Sequence, residues 1–119
     1  MAAPNIVGVT SIYGKTATQI VTTSAASIVS NSSSSGKVLK INSLIVANVD
    51  GTNNASVSVQ LFRGGVSYRL AHTIVVPADA TMVILTKDSS IYLEEGDQLR
   101  LSAGASSDLE AVCSYEEIS

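Results

Sequence analysis

Apolar and polar residues alternate with a period of two in several windows of this chain. In Ser56–Leu61, Val57, Val59 and Leu61 fall on one side, and Ser56, Ser58 and Gln60 on the other. A pleated strand sends successive side chains to opposite faces, so the pattern predicts a half-buried strand. Gln98–Ala103 repeats it with Leu99, Leu101 and Ala103 inward. Leu109–Tyr115 does so with Leu109, Ala111, Cys113 and Tyr115 inward. Over residues 39–47 the pattern changes partway. Lys40 and Asn42 alternate with Leu39 and Ile41, but Leu44-Ile45-Val46-Ala47 is apolar at every position. A strand that is apolar on both faces is expected to pass under a neighbouring sheet or subunit.

Turn chemistry separates these runs. Asp50-Gly51-Thr52-Asn53-Asn54 and Arg63-Gly64-Gly65-Val66 read as hairpin loops, because Gly and Asn tolerate positive φ. Val76-Pro77-Ala78-Asp79, Lys87-Asp88-Ser89-Ser90, Glu94-Glu95-Gly96-Asp97 and Gly104-Ala105-Ser106-Ser107-Asp108 read as further turns. Between them the pattern predicts short strands near Tyr68–Leu70, Thr73–Val76, Thr81–Thr86 and Ile91–Leu93. Val, Ile and Thr are abundant, and their branched Cβ suits a pleated surface. The expectation is an all-β chain, an antiparallel β-sandwich or jelly-roll-like single domain over residues 1–119. Residues 1–30 carry scattered apolar positions. They are read as an N-terminal arm laid on a neighbour, or as edge strands. Residues 31–36 form a Ser-rich loop by composition.

Composition narrows the function. Charged residues are 14% of the chain, well below the roughly 25% of ordinary soluble domains. Mean hydropathy is +0.32. Such a surface is best hidden between subunits, so a homo-oligomer is expected. The net charge of −3 supplies no basic field for nucleic acid. No apolar run approaches the roughly 18 residues of a membrane span, and the start lacks the features of a secretory signal. With one histidine and one cysteine, a zinc site of Cys and His ligands and an internal disulfide are both excluded. Any nucleophilic dyad is limited to His72. No enzyme activity, cofactor or metal is therefore expected. Asp50, Asn53 and Asn54, and likewise Glu94, Glu95 and Asp97, gather oxygens without an EF-hand spacing and read as turn residues. Cys113 reads as a buried, inert thiol, and His72 as a structural or surface residue.

The charges are segregated along the chain. Through Ala78 the net is +4, and from Asp79 onward it is −7. Either a positive patch of one subunit docks a negative patch of the next, or strands from the two halves interleave and the charges mix.

Several stretches together resemble a known family. They are Gly14-Lys15-Thr16, Ser35-Gly36-Lys37-Val38, the segment 40–53 from Lys40 to Asn53, Val76-Pro77-Ala78-Asp79-Ala80-Thr81, and Ser89-Ser90-Ile91-Tyr92-Leu93-Glu94-Glu95. The closing run Asp108-Leu109-Glu110-Ala111-Val112-Cys113-Ser114-Tyr115-Glu116-Glu117-Ile118-Ser119 is the most specific. Across nearly its whole length the chain resembles small virion structural proteins of marine tailed phages, chiefly cyanobacterial ones. The resemblance implies a component of a phage particle and carries no catalytic residues. It leaves the place in the particle open. One departure is the short, basic hairpin Phe62-Arg63-Gly64-Gly65, where members of the family often carry a longer Ala/Gly-rich insertion.

The expected function is a symmetric accessory subunit of the virion, made in the host cytoplasm. It would decorate or stabilise the capsid, or form a neck or tail ring. Its partners would be itself and other virion proteins, such as capsid or neck and tail proteins. Ile6, Val7, Val9, Ile12 and Tyr13 are the candidate arm contacts. Arg63, Arg69, Glu94, Glu95 and Asp97 are the candidate polar contacts. The alternative is a receptor- or glycan-binding adhesin on the tail or fibre, with Asn53, Asn54, Ser106 and Ser107 at one end of the sandwich as polar candidates.

Overall fold

A computed structural model describes residues 4–119. Residues 1–3, the start of the segment expected to form an arm, lie outside the described residues. Nine strands lie among them: β1 (Ile12–Ile20), β2 (Ala26–Ser30), β3 (Val38–Asn48), β4 (Ala55–Arg63), β5 (Val66–Val76), β6 (Thr81–Leu85), β7 (Ile91–Leu93), β8 (Gln98–Ala103) and β9 (Leu109–Ile118). Short 3-10 turns occur at Ile6–Gly8 and Lys87–Ser89.

The strands form two antiparallel sheets, ordered β1-β9-β3-β6 and β2-β8-β4-β5, with β7 also beside β3. β6 pairs with residues 44–47 of β3 and β7 with residues 39–41. The two therefore occupy one strand position, interrupted by the Lys87–Ser89 turn. Counted that way, the first strand pairs with the last, the second with the seventh, the third with the sixth and the fourth with the fifth. This is a long hairpin nested on itself and rolled into a sandwich, the connectivity of a jelly roll. The expected fold class is the one found.

Residues 1–30 prove to hold edge strands: β1 borders one sheet and β2 the other. The segment 31–36 consists of turns and bends between β2 and β3. Gly64 and Gly65 take φ of 60° and 78° between the paired residues Arg63 and Val66. A two-residue hairpin needs positive φ at both positions so that its twist matches the strands. The two short strands expected near Tyr68 and Thr73 are one strand, β5. It bends where Thr73 takes φ 46° and donates its N–H to Ser58 Oγ (2.9 Å).

The core lies between the sheets. Val57, Val59, Leu99 and Leu101 from one sheet face Ile41, Leu44, Val46 and Leu109 from the other, all fully buried. Each such side chain contributes about 1.5–3 kcal/mol by leaving water. In β3 the ladder to β9 carries a bulge between Ile41 and Ser43. Odd-numbered residues point inward before it and even-numbered ones after it. The all-apolar run is therefore not sandwiched within the chain: Leu44 and Val46 enter the core, while Ile45 and Ala47 lie half-buried on the outer face.

Two buried asparagines hold the loops at opposite ends of the roll. Asn48 Nδ2 donates to the carbonyls of Asn53 (3.0 Å) and Val76 (2.9 Å), and its Oδ1 accepts from the Asp50 N–H. Asn31 Nδ2 donates to the carbonyls of Lys37 (2.9 Å) and Leu93 (3.0 Å), and its Oδ1 accepts from Ser35. Replacing either leaves buried carbonyls without a donor. Asn48→Ala is expected to cost about 1–3 kcal/mol, measured as a lower urea midpoint with an unchanged m-value.

Candidate functional site

The outer face of the β1-β9-β3-β6 sheet is the strongest candidate for a functional surface. The registers Thr18↔Val112, Val112↔Ile45 and Ile45↔Val83 set these four residues in one row across the sheet. Val83 is 54% exposed, and the next row adds Ile20 and Ala47 beside Glu110. Cross-strand apolar pairs of this kind strengthen a sheet, but here their upper surfaces stay in contact with solvent. The row itself is uncharged, with Glu110 in the next row as its nearest charge, which suits packing against another protein surface.

The candidate arm residues divide. Ile6 and Val7 lie in a 3-10 turn capped by Asn5, whose side chain accepts from the Val7 N–H. Thr10 and Ser11 donate to the Ser119 carbonyl, which ties this segment to the end of β9. Ile6 and Pro4 line a hollow with Val38, Tyr92 and Glu94. Val7 is 92% exposed and Val9 half-buried. Ile12 and Tyr13 open the edge strand β1, and both are exposed. The segment is thus joined to its own chain at Thr10 and Ser11, while Ile6 and Val7 stay exposed.

The candidate polar residues gather at one end, except for Arg69 on the β5 edge strand. Asp97 is 3% exposed. Its carboxylate accepts from Arg63 Nε at 3.0 Å, from Arg63 Nη2, and from the Glu94 N–H. Arg63 also bridges Glu94 at 2.9 Å. Glu95 accepts from the Gly36 N–H at 2.8 Å. A cleft of about 480 Å³ lies between this turn, the Phe62–Gly65 hairpin and Ser33. Asp97 is therefore a clasp inside the chain, fixing the β7–β8 turn to the β4–β5 hairpin.

A second cluster centres on Glu117, which binds Lys15 Nζ at 3.1 Å and Lys37 Nζ at 2.9 Å. These hydrogen bonds, Lys37's foremost, hold the Glu117 carboxyl below its ordinary 4.5. Lys15, Lys37 and Arg63 come from the positive half of the sequence, and Glu94, Asp97 and Glu117 from the negative half. The segregated charges thus mix in space through the interleaving of strands. The sequence pattern gave no sign of these pairings, because each partner is remote in sequence.

The exposed residues Asn53, Asn54, Ser106 and Ser107 do share one end, since Val49 N–H donates to the Asp108 carbonyl between their loops. Asn53 and Asn54 already serve those loops: Asn53 Nδ2 donates to Asp50, and Asn54 Oδ1 accepts from the Ala78 N–H. His72 is exposed on β5. Cys113 is fully buried, and burial pushes its thiol up to about 12.

No protein-family model and no curated protein sequence matches the chain. Among solved structures, it is similar to a chain of the Bacillus endospore appendages, described as a family of disulfide-linked pili. The match has a TM-score of 0.52 and 17% identity, covering 90% of this chain and 85% of that one. The likeness is one of fold, shared with a structural protein. Here the single cysteine sits in the core, away from the surface where a link between copies would form.

Two outcomes follow from the charge clusters. Arg63→Ala leaves the Asp97 carboxylate buried without its cation. Because Arg63 is itself partly solvated, the expected loss is about 2 kcal/mol, read by denaturant melts. Glu117 has a depressed folded pKa, so its contribution to stability is present above pH 4.5 and is lost as pH falls through the folded value. The Tm gap between the wild type and Glu117→Gln is expected to be widest near neutral pH and to close in acid.

Proposed function

We propose that this chain is a structural subunit of a phage particle, repeated by symmetry on the capsid or in a ring at the neck or tail. The observation that carries the reading is the apolar row Val112–Ile45–Val83 on an outer sheet face. A strand apolar on both sides needs cover, and the chain's own second sheet covers only one side of β3. The role is mechanical rather than catalytic: the roll is a block whose faces are joined to copies of itself and to other virion proteins. The resemblance of the closing run 108–119 to phage virion proteins supports the particle. The fold shared with a pilus protein supports assembly from many copies.

Repetition of one interface by symmetry makes each subunit contact recur around the assembly, so a weak contact is sufficient per copy. Ile45→Glu is expected to leave the monomer folded, because Ile45 points away from the core, and to abolish incorporation into particles. Quantitative mass spectrometry of purified particles gives the copy number. On the order of hundreds of copies places the chain on the capsid lattice, and a small multiple of the tail symmetry places it at the neck or tail. Absence from the particle overturns the reading.

A further inference from the structure

The edges of the two sheets are not equally protected. β2 and β6 span five residues each, β7 spans three, and the ladders of β2 and β6 are broken by bulges. β5 is long but has irregular pairing at two places and a left-handed Thr73. Short strands and bulges are the ordinary means of preventing edge-to-edge pairing. β1 has neither. It runs nine residues from Ile12 to Ile20 in unbroken register with β9, without proline, and with Lys15 as its single charge.

The direction of its free backbone groups follows from the ladder. Ser11 and Ser119 exchange both N–H···O bonds, and Val21 N–H donates to the Leu109 carbonyl in the same register. In an antiparallel pair, hydrogen-bonded residues alternate with residues whose groups point away. Odd-numbered β1 residues therefore bond β9. Ile12, Gly14, Thr16, Thr18 and Ile20 turn their N–H and C=O groups to the open edge.

We propose that β1 pairs antiparallel with β1 of a second copy, about a two-fold axis at Thr16. In that register Ile12 faces Ile20, Gly14 faces Thr18, and Thr16 faces itself. These are the residues with free backbone groups, so each pair exchanges both hydrogen bonds. Ile12 and Ile20 are 57% and 61% exposed in the single chain. Opposed across the axis, they cover each other twice. The second copy's Ile12 lands beside a hollow lined by Thr18, Ile20, Glu110 and Val112. Lys15 faces Ala17, and the two Lys15 side chains stand as diagonal neighbours, each held by its own chain's Glu117. Tyr13 of the second copy stands opposite Gln19, whose buried Oε1 has no partner among the described residues.

The contact centres on an edge, meets the apolar face only at its border, by Ile20 and Val112, and does not rest on the virion reading. It is tested on the purified protein alone. The wild type is expected to run at twice the chain mass of 12.3 kDa by light scattering. Thr16→Pro removes an outward N–H that β9 does not use, a substitution an edge strand tolerates. It should weaken the dimer about 100-fold while the circular dichroism spectrum stays that of β-sheet. Thr16→Cys tests the register without relying on that fold: facing Cα atoms about 5.5 Å apart fall within disulfide reach, and Cys113 is too buried to compete. A covalent dimer on mild oxidation is expected. Amide exchange at Gly14, Thr16 and Thr18 should also slow as concentration rises. A wild type that stays at the single-chain mass overturns the proposal. So does an oligomer that survives Thr16→Pro and does not cross-link through Thr16→Cys.

Discussion

The pairing of β3 with β9 is the constraint on which the rest of the roll depends. It joins residues 38–48 to residues 109–118, and β1, β6 and β7 attach to these two strands and to nothing else in their sheet. Because side chains alternate with a period of two, the register is intolerant of error. A slip of one residue would turn Leu109, Ala111 and Cys113 to solvent and drive Glu110, Val112 and Ser114 into the core. The bulge at Asn42 lets β3 hold this register along its whole length while reversing which of its positions face inward.

That reversal decides what the outer face carries. Without it, Ile45 would enter the core in line with Leu39 and Ile41, and the outer face would carry Leu44 and Val46. With it, the interior receives one apolar set and the outer face receives a second, flanked by Val112 and Val83. The core accounts for the stability of the roll. The second set gives the free chain no comparable gain, because its upper surface is still wet. In the proposed assembly that row would be covered, as an exposed apolar patch on an interacting protein is.

Much of the fold was legible in the sequence, and the reason is local. The inward residues of β4, β8 and β9 follow from strict alternation, and the Gly64-Gly65 hairpin from the positive φ that two glycines allow. The nested pairing was not legible, because the match of Ile12 to Ile118 is decided by the whole fold and leaves no mark on neighbouring residues. The same holds for Glu117 with Lys15 and Lys37, and for Arg63 with Asp97. Asn31 and Asn48 were missed for a different reason. A buried asparagine that ties loop carbonyls looks, in sequence, like any turn residue. The N-terminal segment was legible only in part: the apolar content of residues 4–11 shows in the sequence, but the bonds from Thr10 and Ser11 to the Ser119 carbonyl do not.

The edge and the face impose different symmetries. Antiparallel pairing of β1 with itself uses the same residues on both copies, so it closes at two and cannot propagate. An extended assembly needs a second contact of another kind. The row from Val112 to Val83 points out of the plane of the sheet, whereas the β1 edge points within it, so the two contacts meet only at Val112 and leave Ile45 and Val83 free. A dimer joined at the edge would present two such faces on one side of a continuous sheet, related by the same axis. Its docking to a symmetric lattice would then engage both faces together, and the second engagement would come at the high effective concentration set by the first. In that arrangement the edge sets the spacing of the two faces, and the faces supply the adhesion.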